Sequence, residues 1–296
     1  MRVLLATDGS EDARGATTWF TRFPLPTGSQ LRVVSVVNVP PSALDLPTVH
    51  DFVGTLREEA ARTAETARSA LAARFPDAET RVLEGDARQA ILREAEAWPA
   101  DLIVLGARGL GAVAGFLLGS VSLGVARHAH CSVLVVKGAT GALRGALLGL
   151  DGSEHARAAA AFLARLPLDP SLVVRLVGVT EAPPYPATTP AFASGMVRQA
   201  IEDIVKERRA ALEEAQARAA AVLAGIVKTI EREVLGGDPV EALCSAAAKP
   251  GVDLVVVGAR GLGPLKRLVL GSVSEGVLRH ADRPVLIVKT GEPVRG

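Results

Sequence analysis

Asp101-Leu-Ile-Val-Leu-Gly-Ala-Arg-Gly-Leu-Gly111 returns 152 residues later as Asp253-Leu-Val-Val-Val-Gly-Ala-Arg-Gly-Leu-Gly263. Extended without a gap, Asp101–Lys137 and Asp253–Lys289 are identical at 23 of 37 positions. A second echo lies near the start of each copy, where Asp8-Gly9-Ser10-Glu11 matches Asp151-Gly152-Ser153-Glu154, 143 residues apart. Self-similarity of this kind marks a repeat, here of whole domains. Residues 1–138 and 143–290 are therefore expected to be two copies of one domain. The second copy is longer by about nine residues, which fit best in the Pro-rich stretch Ala182–Pro190. The join, Gly138-Ala-Thr-Gly-Ala142, is short and Gly-rich, so the copies should be close neighbours rather than tethered beads.

Inside each copy, apolar runs of strand length alternate with helical patterns. In the first, strands are predicted at Arg2–Ala6, Arg32–Val37, Thr80–Leu83, Leu102–Leu105 and Val133–Val136. Helices are predicted at Ser10–Arg22, Val49–Arg74, Ala87–Ala97 and Ser120–His128, with Pro76 and Pro99 following two of them. Continuous rather than alternating apolar runs belong to strands buried on both faces. The expected class is α/β: two doubly wound, five-stranded parallel sheets in tandem, Rossmann-like, with helices on both faces. With a flavodoxin-like strand order, the last strands (Val133–Val136 and Val285–Val288) fall at sheet edges. Pairing them antiparallel would cover both apolar edges, which are otherwise an aggregation hazard.

Composition narrows the function. Among 296 residues, 33 Lys+Arg face 32 Asp+Glu, leaving a net charge of +1 and no electrostatic footprint for nucleic acid or an anionic membrane. With 7 Phe, 2 Trp and 1 Tyr there are few platforms for stacking bases. Gly109–Ala126 is uncharged over 18 residues, but five glycines and two serines suit it poorly to lipid. Cys131 and Cys244 are the only cysteines and do not correspond between copies, as expected of a protein in a reducing cytoplasm.

The glycines carry the chemistry. Gly106 and Gly109 follow the fourth strand, and Gly119-Ser120 opens the next helix, with nine residues between Gly109 and Gly119. Gly258, Gly261 and Gly271-Ser272 repeat that spacing unchanged. Ligands of open parallel sheets bind beyond the carboxyl ends of the strands. Glycines there admit close backbone approach. The open N–H groups of a helix start, with its dipole, favour a phosphate, and Ser120 and Ser122 would add hydroxyl donors.

On these motifs the chain resembles a tandem universal stress protein of the ATP-binding branch, with an adenine nucleotide α-hydrolase-like fold. The resemblance implies one ATP per domain, with magnesium. Asp8 and Asp151 would lie beside ribose or a phosphate-bound magnesium, and Val36 and Val179 would meet adenine through their backbones. Gly106, Arg108, Gly109, Gly119, Ser120, Val121 and Ser122 would hold ribose and phosphates. Gly258, Arg260, Gly261, Gly271, Ser272, Val273 and Ser274 would do so in the second copy. The resemblance further implies a cytoplasmic stress-response module whose nucleotide is a signal, with intramolecular pairing of the domains; a further homodimer is compatible with it.

Plainer roles compete with these. The glycines would also serve close helix–sheet packing. Asp8 and Asp151 would serve as helix caps, and Arg108 and Arg260 as solvated loop charges. No Walker A string, Gly-x-Gly-x-x-Gly after the first strand, or Gly-x-Ser-x-Gly elbow occurs. A slow ATPase, or an interaction module without nucleotide, stays open beside the binding reading. The loops between the motif glycines differ: Leu110–Leu118 is wholly apolar, whereas the second copy has Pro264, Lys266 and Arg267 there. Those cations predict tighter, more salt-sensitive ATP binding in the second copy.

Overall fold

The computed structural model describes residues 1–38, 47–110, 118–138, 141–181, 195–262 and 270–290. The first copy runs β1 (Arg2–Ala6), α1 (Glu11–Phe20), β2 (Gln30–Val37), α2 (Pro47–Leu71), β3 (Glu79–Glu84), α3 (Ala87–Ala97), β4 (Leu102–Gly106), α4 (Ser120–His128) and β5 (Ser132–Val136). The second repeats it as β6 (Gly145–Leu150), α5 (Glu154–Ala164), β7 (Val173–Thr180), α6 (Gly195–Leu223), β8 (Thr229–Gly236), α7 (Pro239–Ala248), β9 (Leu254–Gly258), α8 (Ser272–His280) and β10 (Val285–Val288). Pro264, Lys266, Arg267 and the Ala182–Pro190 stretch lie outside the described residues.

All ten strands form one sheet, in the order β3-β2-β1-β4-β5-β10-β9-β6-β7-β8. Neighbours are parallel except at the centre, where β5 and β10 run antiparallel with Val135 opposite Val285 and Val133 opposite Ile287. The order within each copy corrects one expectation. It is 3-2-1-4-5, that of the first five strands of a Rossmann sheet, not the flavodoxin-like 2-1-3-4-5. Both orders share the same alternation of strand and helix, so the hydrophobic pattern does not distinguish them. Both also leave the fifth strand at an edge, so the antiparallel pairing forms all the same.

The central strands are buried on both faces: Val3, Leu4, Ile103, Val104, Leu134 and Val135 have no exposed surface. On one face, Phe20, Phe23, Leu71 and Phe75 of the first copy join a cluster that continues through Leu134 and Leu286 to Leu163 and Leu223 of the second. On the other, Ile91 and Val125 join one that continues through Val133 and Ile287 to Leu243 and Val277. Each layer of core therefore crosses the domain junction.

Six of the helix starts fall into two kinds. Ser10, Asp86, Ser153 and Asp238 cap α1, α3, α5 and α7, each side chain accepting a backbone N–H of the first turn. Helices α4 and α8 instead begin at Gly119 and Gly271, with no side-chain cap. Their first N–H groups are left for another acceptor.

Candidate functional site

Between the carboxyl ends of β1, β2 and β4 lies a cavity of about 590 Å³. It sits where the connection from β1 leaves to one side of the sheet and β4 stands on the other, the switch point of the fold. Asp8, Val36, Gly106, Arg108, Gly109, Gly119, Ser120, Val121 and Ser122 all line it. Its two ends differ in character. Val34, Val36, Ala87 and Ile91 make an apolar end, while Asp8, Gly109, Gly119 and Ser120 make a polar one.

The first loop is tied to the glycine loop by short-range chemistry. Asp8 Oδ1 accepts from the Ser10 N–H at 3.0 Å and Oδ2 from the Leu110 N–H at 2.8 Å. Helix capping falls to Ser10, whose hydroxyl oxygen accepts from Ala13 N–H and whose own hydrogen goes to the Arg108 carbonyl at 3.1 Å. Asp8 is thus a turn and loop-bridging residue, not the cap. Its carboxylate keeps lone pairs for the cavity, since two oxygens offer about four acceptor sites.

The glycines do different jobs. A Cβ at Gly106 would lie 2.8 Å from the backbone of Asp12 and Ala13, so this residue lets α1 pack against the end of β4. A Cβ at Gly109 would strike Asp8 Oδ2 at 2.5 Å. At Gly119 the nearest atom, the Ala107 carbonyl oxygen, is 3.2 Å away. Gly106 therefore serves contact with α1 and Gly109 contact with Asp8, while Gly109 and Gly119 both present backbone to the cavity.

Two side chains differ from their sequence reading. Ser122 lines the cavity, but its single hydroxyl hydrogen goes to the Gly106 carbonyl at 2.7 Å, so it braces the strand end and is not a free donor. Ser274 repeats this with Gly258 at 2.6 Å. Arg108 is no loose loop charge. It forms a two-point pair with Asp12 at 2.9 and 3.2 Å, which raises its pKa further and fixes its position at the cavity wall. Asp12 carried no motif and was invisible until α1 and the loop came together.

The second copy repeats most of this frame. Asp151 Oδ1 accepts from Ser153 N–H, and the Ser153 hydroxyl donates to the Arg260 carbonyl. A Cβ at Gly258 would meet the backbone of His155, one at Gly261 would meet Asp151 Oδ2 at 2.6 Å, and one at Gly271 would lie 3.4 Å from the Ala259 oxygen. Ser272 and Val273 open α8, and Val179, the last residue but one of β7, is half-buried. One exchange stands out: the place of Asp12 is taken by His155. Burial, and then the Arg260 cation, push the imidazole below its usual pKa, and its Nδ1 is buried with no hydrogen-bond partner.

A divalent cation would not find a cage of protein ligands. Among the described residues no three His, Cys, Asp or Glu side chains converge. One carboxylate beside an open anion cradle does suit magnesium carried in on phosphates, which retains waters and takes only one or two protein oxygens.

The sequence profile described as "Universal stress protein family" matches residues 1–137 and again 144–289. The chain belongs to the universal stress protein family. A universal stress protein of Mycobacterium tuberculosis is 32% identical over 206 residues, 64% of this chain. The match takes in 62% of that relative's own length. One from Thermus aquaticus is 36% identical over 143 residues, 48% of this chain and 96% of that protein. Among solved structures, a universal stress protein from Archaeoglobus fulgidus superposes with a TM-score of 0.64 at 21% identity, covering 97% of this chain and 98% of its own. That likeness speaks for the fold. Two universal stress protein domains in tandem make up this chain, and among the described residues no helix is long and apolar enough to cross a membrane.

Proposed function

We propose that this universal stress protein binds ATP in each of its two domains and serves in the cytoplasm as a nucleotide-dependent signalling or protective module. The observation that supports it most is the convergence of the glycine spacing, the uncapped start of α4 and the end of β2 on one cavity. The apolar end between Val34 and Ile91 suits an adenine ring, with the Val36 backbone offering the polar contacts at its edge. The N–H groups of Ser120 and Val121, with the Gly109 and Gly119 backbone, suit the phosphates. Asp8 stands where a ribose hydroxyl or a phosphate-borne magnesium would meet a carboxylate. The same residues in the second copy support the second site.

The reading assigns no catalytic role. Among the described residues lining the cavity, Asp8 is the only carboxylate, and no His, Lys or Cys stands beside it. ATP is then a ligand that stabilises one arrangement of the loops, by an amount set by its concentration relative to its Kd.

The deciding experiment is chemical: denature the purified protein and identify released small molecules by mass and ultraviolet spectrum. It is joined by calorimetric titration of nucleotide-free protein with Mg-ATP. Release of ATP, or a stoichiometry of two, supports the reading. Absence of both release and binding overturns it.

A further inference from the structure

The cavity of the first domain is completed by the second. Among the described residues lining it, all but one belong to the first copy; the exception is Arg279, from the last turn of α8. The β5–β10 pairing brings α4 and α8 together. Arg127, late in α4, meets Glu275, early in α8, at 2.6 and 2.9 Å. Conversely, Arg279, late in α8, reaches the cavity lined by Ser120 and Leu123 at the start of α4. The two helices pass in opposite directions, as the antiparallel seam requires.

Arg127 and Arg279 are equivalent residues of the two copies, but their surroundings are not. Glu275 corresponds to Leu123, so one carboxylate serves both guanidinium groups. It accepts from Arg127 at two points and from Arg279 through a single oxygen, at 3.0 and 3.1 Å. Two cations share one anion, so the Arg127–Glu275–Arg279 cluster itself carries a net positive charge. Glu275 is largely buried (19% exposed), while the Arg279 side chain is 40% exposed.

We propose that Arg279 is a phosphate ligand of the first domain's nucleotide site, supplied across the domain junction, with Glu275 as its resting partner. The proposal rests on the reading of that cavity as a nucleotide site. The exchange is favourable on electrostatic grounds. When Arg279 turns from Glu275 to a polyphosphate, Arg127 keeps its two-point hold, so no buried carboxylate is stranded. A guanidinium matches phosphate oxygens in the planar, two-point manner that an ammonium does not. The equivalent residue for the second site, Arg127, is held by Glu275 at two points. Arg279 thereby links occupancy of the first site to the domain junction.

Calorimetry on the full chain carrying Gly271→Val, which retains the first site, tests this. Adding Arg279→Gln should weaken ATP binding about five- to thirty-fold. It should weaken ADP less, leave adenosine within about twofold, and reduce the salt dependence of ATP binding. Arg279→Lys should recover part of the loss. Glu275→Gln should not weaken ATP binding, because it frees Arg279 from its resting partner. If Arg279 served only to join the domains, Glu275→Gln and Arg279→Gln would both weaken binding, and adenosine would fall with ATP. That result, or an Arg279→Gln protein that binds ATP like its parent, overturns the proposal alone. A parent that binds no nucleotide overturns the site reading as well.

Discussion

A side chain at Gly106 has nowhere to go, because the backbone of α1 lies 2.8 Å from where its Cβ would stand. Gly106→Ala should lower unfolding free energy by about 1–3 kcal/mol, as overpacking does, read as a drop in denaturant midpoint. A variant as stable as wild type would mean that α1 shifts freely. Gly119 predicts the reverse balance. Its neighbour is farther off, at 3.2 Å, and its surface belongs to the cavity, so Gly119→Val should cost binding first. ATP stoichiometry should fall from two to one in Gly119→Val or Gly271→Val and to none in the double variant. An unchanged stoichiometry in the folded double variant contradicts the assignment. From sequence the three glycines looked alike, since spacing shows where backbone must turn but not what approaches it. The same holds for Ser122, whose hydroxyl is taken by Gly106, and for Asp12, which pairs with Arg108 from another element.

At the scale of elements, the last strands end in a reciprocal clasp. Lys137 Nζ donates to the Leu278 carbonyl at 2.7 Å, at the end of α8, and Lys289 Nζ donates to the Arg127 and Ala129 carbonyls at the end of α4. A cation at a helix C-terminus is well placed electrostatically. Burial nonetheless pushes both lysines down to about 8. An unfolded lysine titrates near 10.5, so between about pH 8 and 10.5 the unfolded chain binds more protons than the native one. Stability from these groups therefore rises with pH through that window, on the order of 1–3 kcal/mol per lysine. Urea unfolding at pH 7 and 10 should show wild type gaining relative to Lys137→Met/Lys289→Met as pH rises. A difference that is flat or of opposite sign would refute the clasp's titration. The two lysines close the aligned repeat blocks and were visible there as a matched pair. Their partners lie on the other domain, beyond any local pattern.

For the whole molecule, the repeat made the seam foreseeable, and the seam in turn explains what the sequence hid. Parallel strands with apolar faces need covering layers, and β5 and β10 are buried along their whole lengths. Those runs stand near each copy's end, so the antiparallel join could be inferred from edge exposure. Arg279 in the first cavity could not, because its place depends on the register Val135–Val285 and on α4 and α8 meeting across it. The seam also makes a prediction for the separated domains. Residues 1–138 alone would expose the β5 edge with Val133 and Val135 unpaired, and would cut both core clusters that run on through Leu286 and Ile287. Residues 143–290 would expose β10 in the same way. An open apolar edge recruits another strand, and the nearest match is a second copy of the same half, since the junction is already a near two-fold. Each half should therefore elute as a homodimer or aggregate by light scattering, and mixing the two during refolding should restore a one-to-one pair. Halves that both remain soluble monomers at micromolar concentration would show that the edges are protected without the partner domain, and that the seam is not what holds the two domains together.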